Sequence, residues 1–483
     1  MRRPSSLFVA LALVVLTLAQ GLGRSDAAPA IASAAPPVAR SWLTTGDGGS
    51  LLVVQPTAGF SVPRRTSRQS VTVDDSTPGQ VLAGYGAALT DSSAWLLSQL
   101  SPAAQDNALR ELFSSSAPGA GLSVLRIPLG ASDFVVGRHY SYDDQPPGGT
   151  DPALAGFSIA RDQIYLIPLL LKIKAIRPDL QLMATPWSAP GWMKSTDSLI
   201  GGSLLPAHED AYARYLVLTL QAYAAAGAPI DMLTIQNEPG WAPPDYPGMV
   251  MPEAQQAEFV AVHLAPTLAG AGLHPALLGY DHNWDDTAYA TSLLRDTAAG
   301  PAFAGAAFHC YAGDVSSQST FHAAVPDAAV WTTECSGGDW GSGFAGDLVW
   351  GSRNLVVGAG RNWSTGVLWW NVALDPSGGP HTGGCSGCRG LVTVDPSTGA
   401  VVRNVEYWTA AHATVASRRG AVRVASTTFG PGNLETLAWR NPDGSHALEV
   451  VNSGSSKRSF RIAWNGWVLD VSLAGGAVGT WSW

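Results

Sequence analysis

The chain has 483 residues, of which 46% are hydrophobic and 13% are charged, and its formal net charge is −9. The low charged fraction and the lack of a basic run after the first residues exclude nucleic acid as an expected partner, because phosphate binding requires clustered Lys and Arg. Eighteen tryptophans on a weakly charged chain suit a neutral ligand with apolar faces, such as a sugar.

The first segment has the pattern of an export signal. Arg2 and Arg3 give a positive start, 7–19 is an apolar run, and Asp26-Ala27-Ala28 offers a small-residue cleavage site. Residues 1–28 are therefore predicted to be a signal peptide of a secreted, extracellular protein, with a retained N-terminal anchor as the alternative. No later run reaches the roughly 18 apolar residues of a membrane span, so no stable membrane insertion is expected. Residues 29–40, rich in Ala and Pro, are predicted to be a disordered spacer.

Strand and helix patterns alternate through the centre of the chain. Residues 41–78 are expected to add strands to a C-terminal β-domain, and Ser101 with Pro102 is typical of a helix start. Helices are predicted at 161–176, 210–225 and 252–270. Strands are predicted at 81–88, 122–129, 180–187, 231–237, 276–280, 304–311, 328–334 and 366–372. Eight strands with intervening helices predict an α/β fold, a (β/α)8 TIM barrel over 79–410.

Short alternating strands follow at 434–440, 447–452, 459–464 and 467–473. The run Asn441-Pro442-Asp443-Gly444 predicts a hairpin between the first two. Residues 411–483 are therefore predicted to be an all-β sandwich. A sugar-binding role for this domain is one hypothesis, although packing against the barrel is the expected role of its tryptophans, Trp464, Trp467, Trp481 and Trp483.

Two glutamates each follow an apolar, β-prone run and precede loop residues. Glu238 lies between Asn237 and Pro239, and Glu334 follows the strand predicted at 328–334. The carboxyl ends of barrel strands carry the active site, and two carboxylates about 5–5.5 Å apart support retaining glycoside hydrolysis. Glu238 is the predicted acid/base and Glu334 the predicted nucleophile. An ordinary polar strand exit is the alternative for Glu238.

Arg126 is a cation within the apolar run Leu125-Arg126-Ile127-Pro128. Buried arginines are rare unless they are paired. We expect Arg126 to orient Glu334 and to lower the pKa of its carboxyl, with a structural ion pair elsewhere in the barrel as the alternative. Further polar and aromatic groups end other predicted strands. Each alone is more often a packing residue, but together they suit a pyranose and are the candidate substrate-binding residues: Asp133, Trp187, Asn237, His309, Tyr311 and Trp370.

Four cysteines are present. Cys385 and Cys388 form a C-x-x-C within a Gly-rich loop, and a local disulfide is favoured over zinc binding because no second C-x-x-C exists. Cys310 and Cys335 lie beside His309 and Glu334. These two are predicted to be either paired with each other or both free.

The chain resembles glycoside hydrolase family 30, the family of glucosylceramidase. The resemblance extends from about residue 40 to the C-terminus. It rests on segments that occur in family order: 84–91, 126–128, 132–134, 184–190, 236–239, 308–311, 333–336, 370–375 and 378–380. It implies a (β/α)8 barrel with a β-sandwich built from both chain ends, a retaining mechanism through Glu238 and Glu334, and no metal or organic cofactor.

Two loops depart from the pattern of the animal glucosylceramidases. These are the loop at 378–382 with the following cysteine loop, and the loop at 240–246. The first hypothesis is a secreted β-glucosidase of glucosylceramidase type, acting on a glycolipid or a β-glucan. An endo-β-1,6-glucanase or a β-xylosidase is the alternative. A non-catalytic carbohydrate-binding protein is the hypothesis from a different functional class.

Overall fold

A computed structural model describes residues 35–63, 69–115 and 119–483. The predicted signal peptide and the first half of the predicted spacer, residues 29–34, lie outside these residues. Within the described part, none of the helices has the length and apolar character needed to cross a membrane.

The strands, in chain order, are β1 (Val38–Thr44), β2 (Val53–Gly59), β3 (Gln69–Asp74), β4 (Gly84–Ala88), β5 (Val124–Leu129), β6 (Gln181–Pro186), β7 (Met232–Thr234), β8 (Ala276–Asn283), β9 (Phe303–His309), β10 (Ala329–Glu334), β11 (Gly337–Gly338), β12 (Ser364–Trp369), β13 (Ala373–Leu374), β14 (Cys388–Arg389), β15 (Val392–Asp395), β16 (Ala400–Arg403), β17 (Val422–Ser426), β18 (Leu434–Arg440), β19 (His446–Asn452), β20 (Arg458–Trp464), β21 (Trp467–Leu473) and β22 (Val478–Ser482). The α-helices are α1 (Asp91–Ser98), α2 (Pro102–Phe113), α3 (Leu166–Ile176), α4 (Glu209–Ala225), α5 (Glu253–Glu258), α6 (Ala265–Gly270), α7 (Thr287–Arg295), α8 (Ser317–Ala324), α9 (Phe344–Gly351), α10 (Ala359–Arg361) and α11 (Val405–Val415). Short 3-10 turns span Gly191–Met193, Pro206–His208 and Gly300–Ala302, and π-helical segments span Phe259–Leu264 and Ser352–Gly358.

The eight strands predicted for the barrel form a closed parallel barrel, in the order β10-β12-β4-β5-β6-β7-β8-β9. Strands β4 and β5 are buried along their whole length, as expected for parallel strands covered on both faces. Strand β4 has the small-residue sequence Gly84-Tyr85-Gly86-Ala87-Ala88. A Cβ on Gly86 would overlap the carbonyl of Val124, so glycine permits the close pairing of β4 with β5.

Proline accounts for two helix boundaries. The helix predicted at 161–176 begins only at Leu166, because Pro168 has no N–H to donate and is tolerated only in a first turn. Between α5 and α6 the helix predicted at 252–270 passes through the π-helical segment Phe259–Leu264, just before Pro266. The missing N–H of Pro266 explains why the regular hydrogen-bond ladder is interrupted there.

The β-sandwich is built from both ends of the described chain. Its strand order is β2-β1-β22-β19-β18-β17-β3-β20-β21. Strand β1 starts at Val38, inside the stretch predicted to be a disordered spacer, because Val38 pairs with Gly59 of β2 and Arg40 to Thr44 pair with β22. The predicted hairpin turn joins β18 to β19, with Gly444 at a φ of 84°.

The sandwich tryptophans pack within the sandwich itself. Trp481 is part of its buried core, and Trp464, Trp467 and Trp483 pack against that core. The prediction that these tryptophans pack against the barrel is therefore wrong, because they pack against other residues of the sandwich core. Instead, α11 joins the domains: His412 bonds Thr44 of β1 and Thr480 of β22.

Candidate active site

The residue Glu238 lies beyond the short strand β7 at a turn in the backbone. Its φ is 47°, an unusual left-handed conformation for a residue other than glycine. Its N–H donates to the carbonyl of Asp281, and the N–H of Asn237 donates to the carbonyl of Pro186. These bonds fix the segment between β6 and β8, and the turn allows the adjacent side chains of Asn237 and Glu238 to reach the same cavity.

The two predicted catalytic carboxylates face each other. Oxygen atoms of Glu238 and Glu334 lie within 4.8 Å of one another, and a nitrogen of His309 lies within the same distance of both. The side chain of Glu238 is 15% exposed and that of Glu334 is 7% exposed. Both acids are therefore nearly enclosed, with enough access for one small group between them.

Glu334, at the end of β10, is held by two donors. Arg126 donates from Nη1 to Oε2 at 2.5 Å, and Tyr311 donates its hydroxyl to Oε1 at 3.0 Å. Burial is the largest effect and raises the pKa of Glu334 above its usual value, although the positive charges of His309 and Arg126 oppose that shift. Since both bonds require acceptor oxygens, this environment favours the carboxylate form of Glu334.

Arg126 is fully buried, and each of its nitrogen atoms has a partner. In addition to Glu334, its guanidinium donates to Asn237 Oδ1 at 2.7 Å, Asp281 Oδ2 at 2.9 Å and Thr185 Oγ1 at 3.1 Å. The guanidinium carbon also lies 4.8 Å from the ring centroid of Trp187. This cation therefore links strands β5, β6, β8 and β10 directly below the site.

Asp281 is a residue of the site that sequence reasoning missed. Its buried carboxylate accepts from Arg126, from His309 Nε2 at 3.1 Å, from Thr234 at 2.7 Å and from Thr333 at 2.6 Å. Although burial raises the pKa of Asp281, the Arg126 charge and these bonds hold it well below its usual range. The polar run after Tyr280 is the available signal, but the strand predicted at 276–280 stops three residues before the end of β8 at Asn283.

His309 connects Asp281 to Glu238. Its Nδ1 lies 3.1 Å from Glu238 Oε1, on the opposite side of the ring from its bond to Asp281. Burial opposes the protonated ring, but the charge of Glu334 and the bonds to Asp281 and Glu238 raise the pKa of His309 to about 9. The histidine expected to bind sugar thus contacts the predicted acid/base directly.

Glu238 and His309 are placed to share one proton, because His309 Nδ1 lies 3.1 Å from Glu238 Oε1. Because Asp281 is ionised and accepts from Nε2, the second proton lies either on His309 Nδ1 or on Glu238 Oε1. Burial raises the pKa of Glu238, and the bond to protonated His309 lowers it below the usual value. These opposite pKa shifts favour the proton on the ring, within hydrogen-bond distance of the Glu238 carboxylate.

Asp133 follows β5 and is buried beneath the cysteine loop. Its Oδ2 accepts from the N–H of Cys385 at 3.3 Å, and its carbonyl accepts from the N–H of Thr382 at 2.8 Å. Burial and the charge of Glu334 raise the pKa of Asp133 to about 7. The side chain is thus poised to hydrogen-bond a sugar hydroxyl in either protonation state.

Trp187 and Trp370 form the aromatic wall of the site. Their rings stack at 5.1 Å with an interplanar angle of 22°, and Phe134 packs edge-on against Trp370 at 5.8 Å. Both indoles are buried. Such a surface matches the apolar C–H face of a pyranose.

The two loops that depart from the animal pattern meet at the rim of the site. The N–H of Gly384 approaches Oδ1 of Asp245 to 3.5 Å, and Tyr246 packs in the same cluster as Trp187 and Trp370. Outside them, Trp241 is 49% exposed and Tyr311 is 45% exposed. The rim therefore combines polar backbone and carboxylate groups with two exposed aromatic rings.

Both cysteine pairs form disulfides. The local bond predicted for Cys385 and Cys388 is present, with 5.7 Å between the Cα atoms. Cys310 and Cys335, for which the sequence left two possibilities, are also bonded, with 5.3 Å between the Cα atoms. This second bond ties the ends of β9 and β10 together, next to His309 and Glu334.

By distance alone, Glu238, His309 and Glu334 offer three ligand atoms for a metal ion. Arg126 argues against that use, because its positive charge lies 2.5 Å from Glu334 and would repel a cation. His309 Nδ1 is also engaged by Glu238 rather than directed to an open position. The arrangement fits acid–base and nucleophilic chemistry better than metal ligation.

Known proteins share the two domains of this chain and about a third of its sequence. The family model for the glycosyl hydrolase family 30 TIM-barrel domain matches residues 82–402, and that for the family 30 beta sandwich domain matches residues 420–481. An endo-1,6-beta-D-glucanase of Neurospora crassa is 34% identical over 413 residues, covering 82% of this chain and 84% of that protein. The lysosomal acid glucosylceramidase of Mus musculus is 29% identical over 422 residues, covering 80% and 77%. A solved structure, the endo-beta1,6-glucanase BT3312, superposes with a TM-score of 0.86 at 30% identity, covering 92% of this chain and 99% of that one.

Proposed function

The chain belongs to glycosyl hydrolase family 30 and is a glycosidase, and from this premise we propose that it is a retaining endo-β-1,6-glucanase. The observation that carries the retaining mechanism is the spacing of the two acids, whose oxygens lie within 4.8 Å. Retaining enzymes hold their carboxyl groups about 5–5.5 Å apart, and inverting enzymes about 6.5–9.5 Å apart to admit a water molecule.

In the first step, Glu334 attacks the anomeric carbon of the glucose unit. Arg126 and Tyr311 keep its carboxylate oriented. The C1–O bond breaks as Glu238 transfers a proton to the departing glycosidic oxygen, and a covalent glucosyl ester forms on Glu334. In the second step, Glu238 takes a proton from water, which attacks C1 and releases Glu334.

The proton source in this proposal is the Glu238–His309 pair. His309 is oriented by Asp281 and returns its Nδ1 proton to Glu238 as the leaving oxygen gains negative charge. A general acid must be protonated at the working pH, and a histidine with a pKa of about 9 supplies that proton across the neutral range. His309 is thus a positioning residue as well as a candidate sugar contact.

The remaining site residues are proposed to bind the glucose unit. Trp187 and Trp370 support its apolar face, and Asp133 accepts hydroxyl hydrogens. Asn237, held by Arg126, lies beside Glu238 and is suited to the 2-hydroxyl, a contact that strengthens as positive charge develops at C1.

The substrate class rests on the relatives and on the rim. The fungal endo-1,6-β-glucanases match at 31–34% identity, and glucosylceramidases of Caenorhabditis elegans and mouse match at 27–31%. The comparisons therefore favour the glucanase alternative over the glucosylceramidase-type activity first expected. The rim also offers Gly384, Asp245 and exposed aromatic rings. Such a surface suits a sugar leaving group better than two lipid chains, which would be held by an apolar groove.

Product analysis tests the proposal. Purified protein is incubated in parallel with β-1,6-glucan, glucosylceramide and β-xylan, with the Glu334→Gln variant as the inactive control. Short β-1,6-linked oligosaccharides from the first substrate alone are the expected result. Release of ceramide alone would replace the proposal with a glucosylceramidase, and release of xylose alone would replace it with a xylosidase.

A further inference from the structure

A second cavity opens beside the site, after the end of β10. Its volume is about 360 Å³, within the range of small-ligand sites. It is formed by the loop that follows Glu334, by α9 and by α11. We call it the indole pocket, because Trp340 and Trp350 both line it. The described residues that line the indole pocket do not include Glu238, Glu334, Trp187 or Trp370. The pocket is therefore separate from the catalytic cavity.

The two indoles of this pocket are directed to solvent. Trp340 is 58% exposed and Trp350 is 45% exposed, although large aromatic side chains are usually buried. The third strongly exposed tryptophan, Trp241, lies on the loop after Glu238. Exposed indoles thus occur at the catalytic rim and at the indole pocket, which is the distribution expected for stacking along an extended sugar chain.

Charged groups form the polar side of the pocket. Arg389 donates from Nη2 to Asp347 at 2.7 Å and to Glu406 at 2.8 Å. Asp347 and Glu406 line the pocket, and their side chains are only 14% and 7% exposed. Each carboxylate has lone pairs beyond those used by Arg389, and sugar hydroxyls are suitable donors to them. Indole faces beside fixed carboxylates are the combination that binds a pyranose.

Three glycines make room for this arrangement. A Cβ at Gly337 would overlap the carboxylate of Glu406, and one at Gly341 would overlap that of Asp347. A Cβ at Gly338 would overlap the ring of Trp340. The loop sequence Gly337-Gly338-Asp339-Trp340-Gly341 therefore places both carboxylates and one indole against the pocket.

The pocket is connected to the catalytic cavity through a short ribbon. Strand β11, which lines the pocket, pairs with β14, and Cys388 of β14 is bonded to Cys385, whose N–H holds Asp133. We propose that the indole pocket is a second sugar-binding site, which holds a distal segment of the same β-glucan chain that the catalytic cavity cleaves. This inference rests on the proposed function, because it assumes that the substrate is a polymeric β-glucan.

The test compares the full-length protein with Trp340→Ala, Trp350→Ala and the double variant. Ile164→Ala is the control, since Ile164 is 69% exposed at a different surface. KM and kcat are measured on soluble β-1,6-glucan and on an aryl β-glucoside that fills only the catalytic cavity. Retardation in gels that contain the glucan reports binding directly.

We expect KM for the polymer to rise about three- to tenfold in the double variant, a loss comparable with one or two aromatic contacts. Its kcat and its activity on the aryl glucoside stay at the wild-type level, which also shows that the variant is folded. Unchanged KM and unchanged gel retardation would overturn the second site. If the wild type cleaves a different β-glucan instead, the proposed substrate is wrong, and the same comparison with that glucan decides the inference.

Discussion

Arg126 and Asp281 form a fully buried ion pair, 2.9 Å long, beneath the carboxylates of Glu238 and Glu334, which we propose to be catalytic. Neither side chain is exposed, and each also contacts a second part of the site: Arg126 bonds Glu334, and Asp281 bonds His309. The proposed nucleophile, Glu334, and the proposed proton donor, the Glu238–His309 pair, are thus oriented by one shared ion pair. A change at either member of the pair is expected to affect both halves of the mechanism.

Replacing Arg126 with Lys should reduce kcat by about 10²–10³, the usual effect of removing one fixed donor from a reacting group. Lysine keeps the charge but cannot serve Glu334, Asn237 and Asp281 at once, because it lacks the planar fork. Arg403→Lys is the matched control, since Arg403 forks onto Glu111 away from the barrel mouth. Equal losses in both variants, measured by steady-state kinetics, would contradict the role of Arg126.

His309 should set the alkaline limit of activity. Its proton is the one that Glu238 delivers, so kcat/KM of the wild type is expected to fall as the pH rises through about 9. In His309→Asn, Glu238 must hold the proton without this partner, and we expect the alkaline limb to move down by about one pH unit or more. His412→Asn is the control, because burial lowers the pKa of His412 to about 3. An unmoved limb in His309→Asn would exclude the shared proton.

The same histidine links stability to pH. Its pKa is raised from 6.5 to about 9, so its contribution to folding is complete below 6.5 and is lost as the pH rises through 9. The size of the contribution is about 3 kcal/mol for a shift of this kind. Urea unfolding of wild type and His309→Asn at pH 6 and pH 9.5 measures it, and a difference that does not shrink at the higher pH would refute it.

Asp133 is expected to lower the stability of the folded protein at neutral pH while it contributes to substrate binding. Its pKa is raised to about 7, so the folded state retains a proton that the unfolded state releases above 3.8, and stability falls as the pH rises between these values. Asp133→Asn is therefore expected to raise the unfolding free energy at pH 8 by up to about 4 kcal/mol, while KM increases. Asp443→Asn has the opposite sign, because its Ser445 bonds lower the pKa of that exposed carboxyl. A destabilised Asp133→Asn would contradict this reasoning.

The two disulfides should have different effects when they are removed. The Cys310–Cys335 bond closes a loop of 25 residues, for which chain entropy predicts a loss of about 3.5 kcal/mol, against about 1.6 kcal/mol for the 3-residue separation of Cys385–Cys388. Cys385→Ser with Cys388→Ser should instead raise KM, since the N–H of Cys385 fixes Asp133. Thermal unfolding and kinetics of both double variants check this. A larger KM effect from the Cys310–Cys335 pair would contradict it.

Much of the fold followed from local sequence, because Pro and Gly mark the ends of apolar strands. The eight barrel strands and the sandwich strands lie within a few residues of their predicted bounds. Two differences came from pairing partners that sequence does not reveal. Strand β1 is ordered from Val38 by its pairing with β2 and, from Arg40, with β22. Strand β8 continues to Asn283 through a register shift between Tyr280 and His282.

That register shift also explains the missed residue. Tyr280 and Asp281 have φ values of 71° and 64°, a conformation that ends a strand in most chains. Here pairing with β9 resumes beyond it, and Asp281 is directed into the barrel. The position of His309 between Asp281 and Glu238 could not be predicted either, because these partners lie 28 and 71 residues away in sequence and meet only when the barrel closes.

The most direct test of the mechanism is to trap the glycosyl ester. A 2-deoxy-2-fluoro-β-glucoside with a good leaving group slows the second step more than the first, so the covalent intermediate of a retaining enzyme accumulates. Peptide mass spectrometry of the inactivated protein is predicted to locate a single fluoroglucosyl group on Glu334. A group on Glu238 would contradict the assignment of the two glutamates, and release of the leaving group with no covalent product would contradict the retaining mechanism.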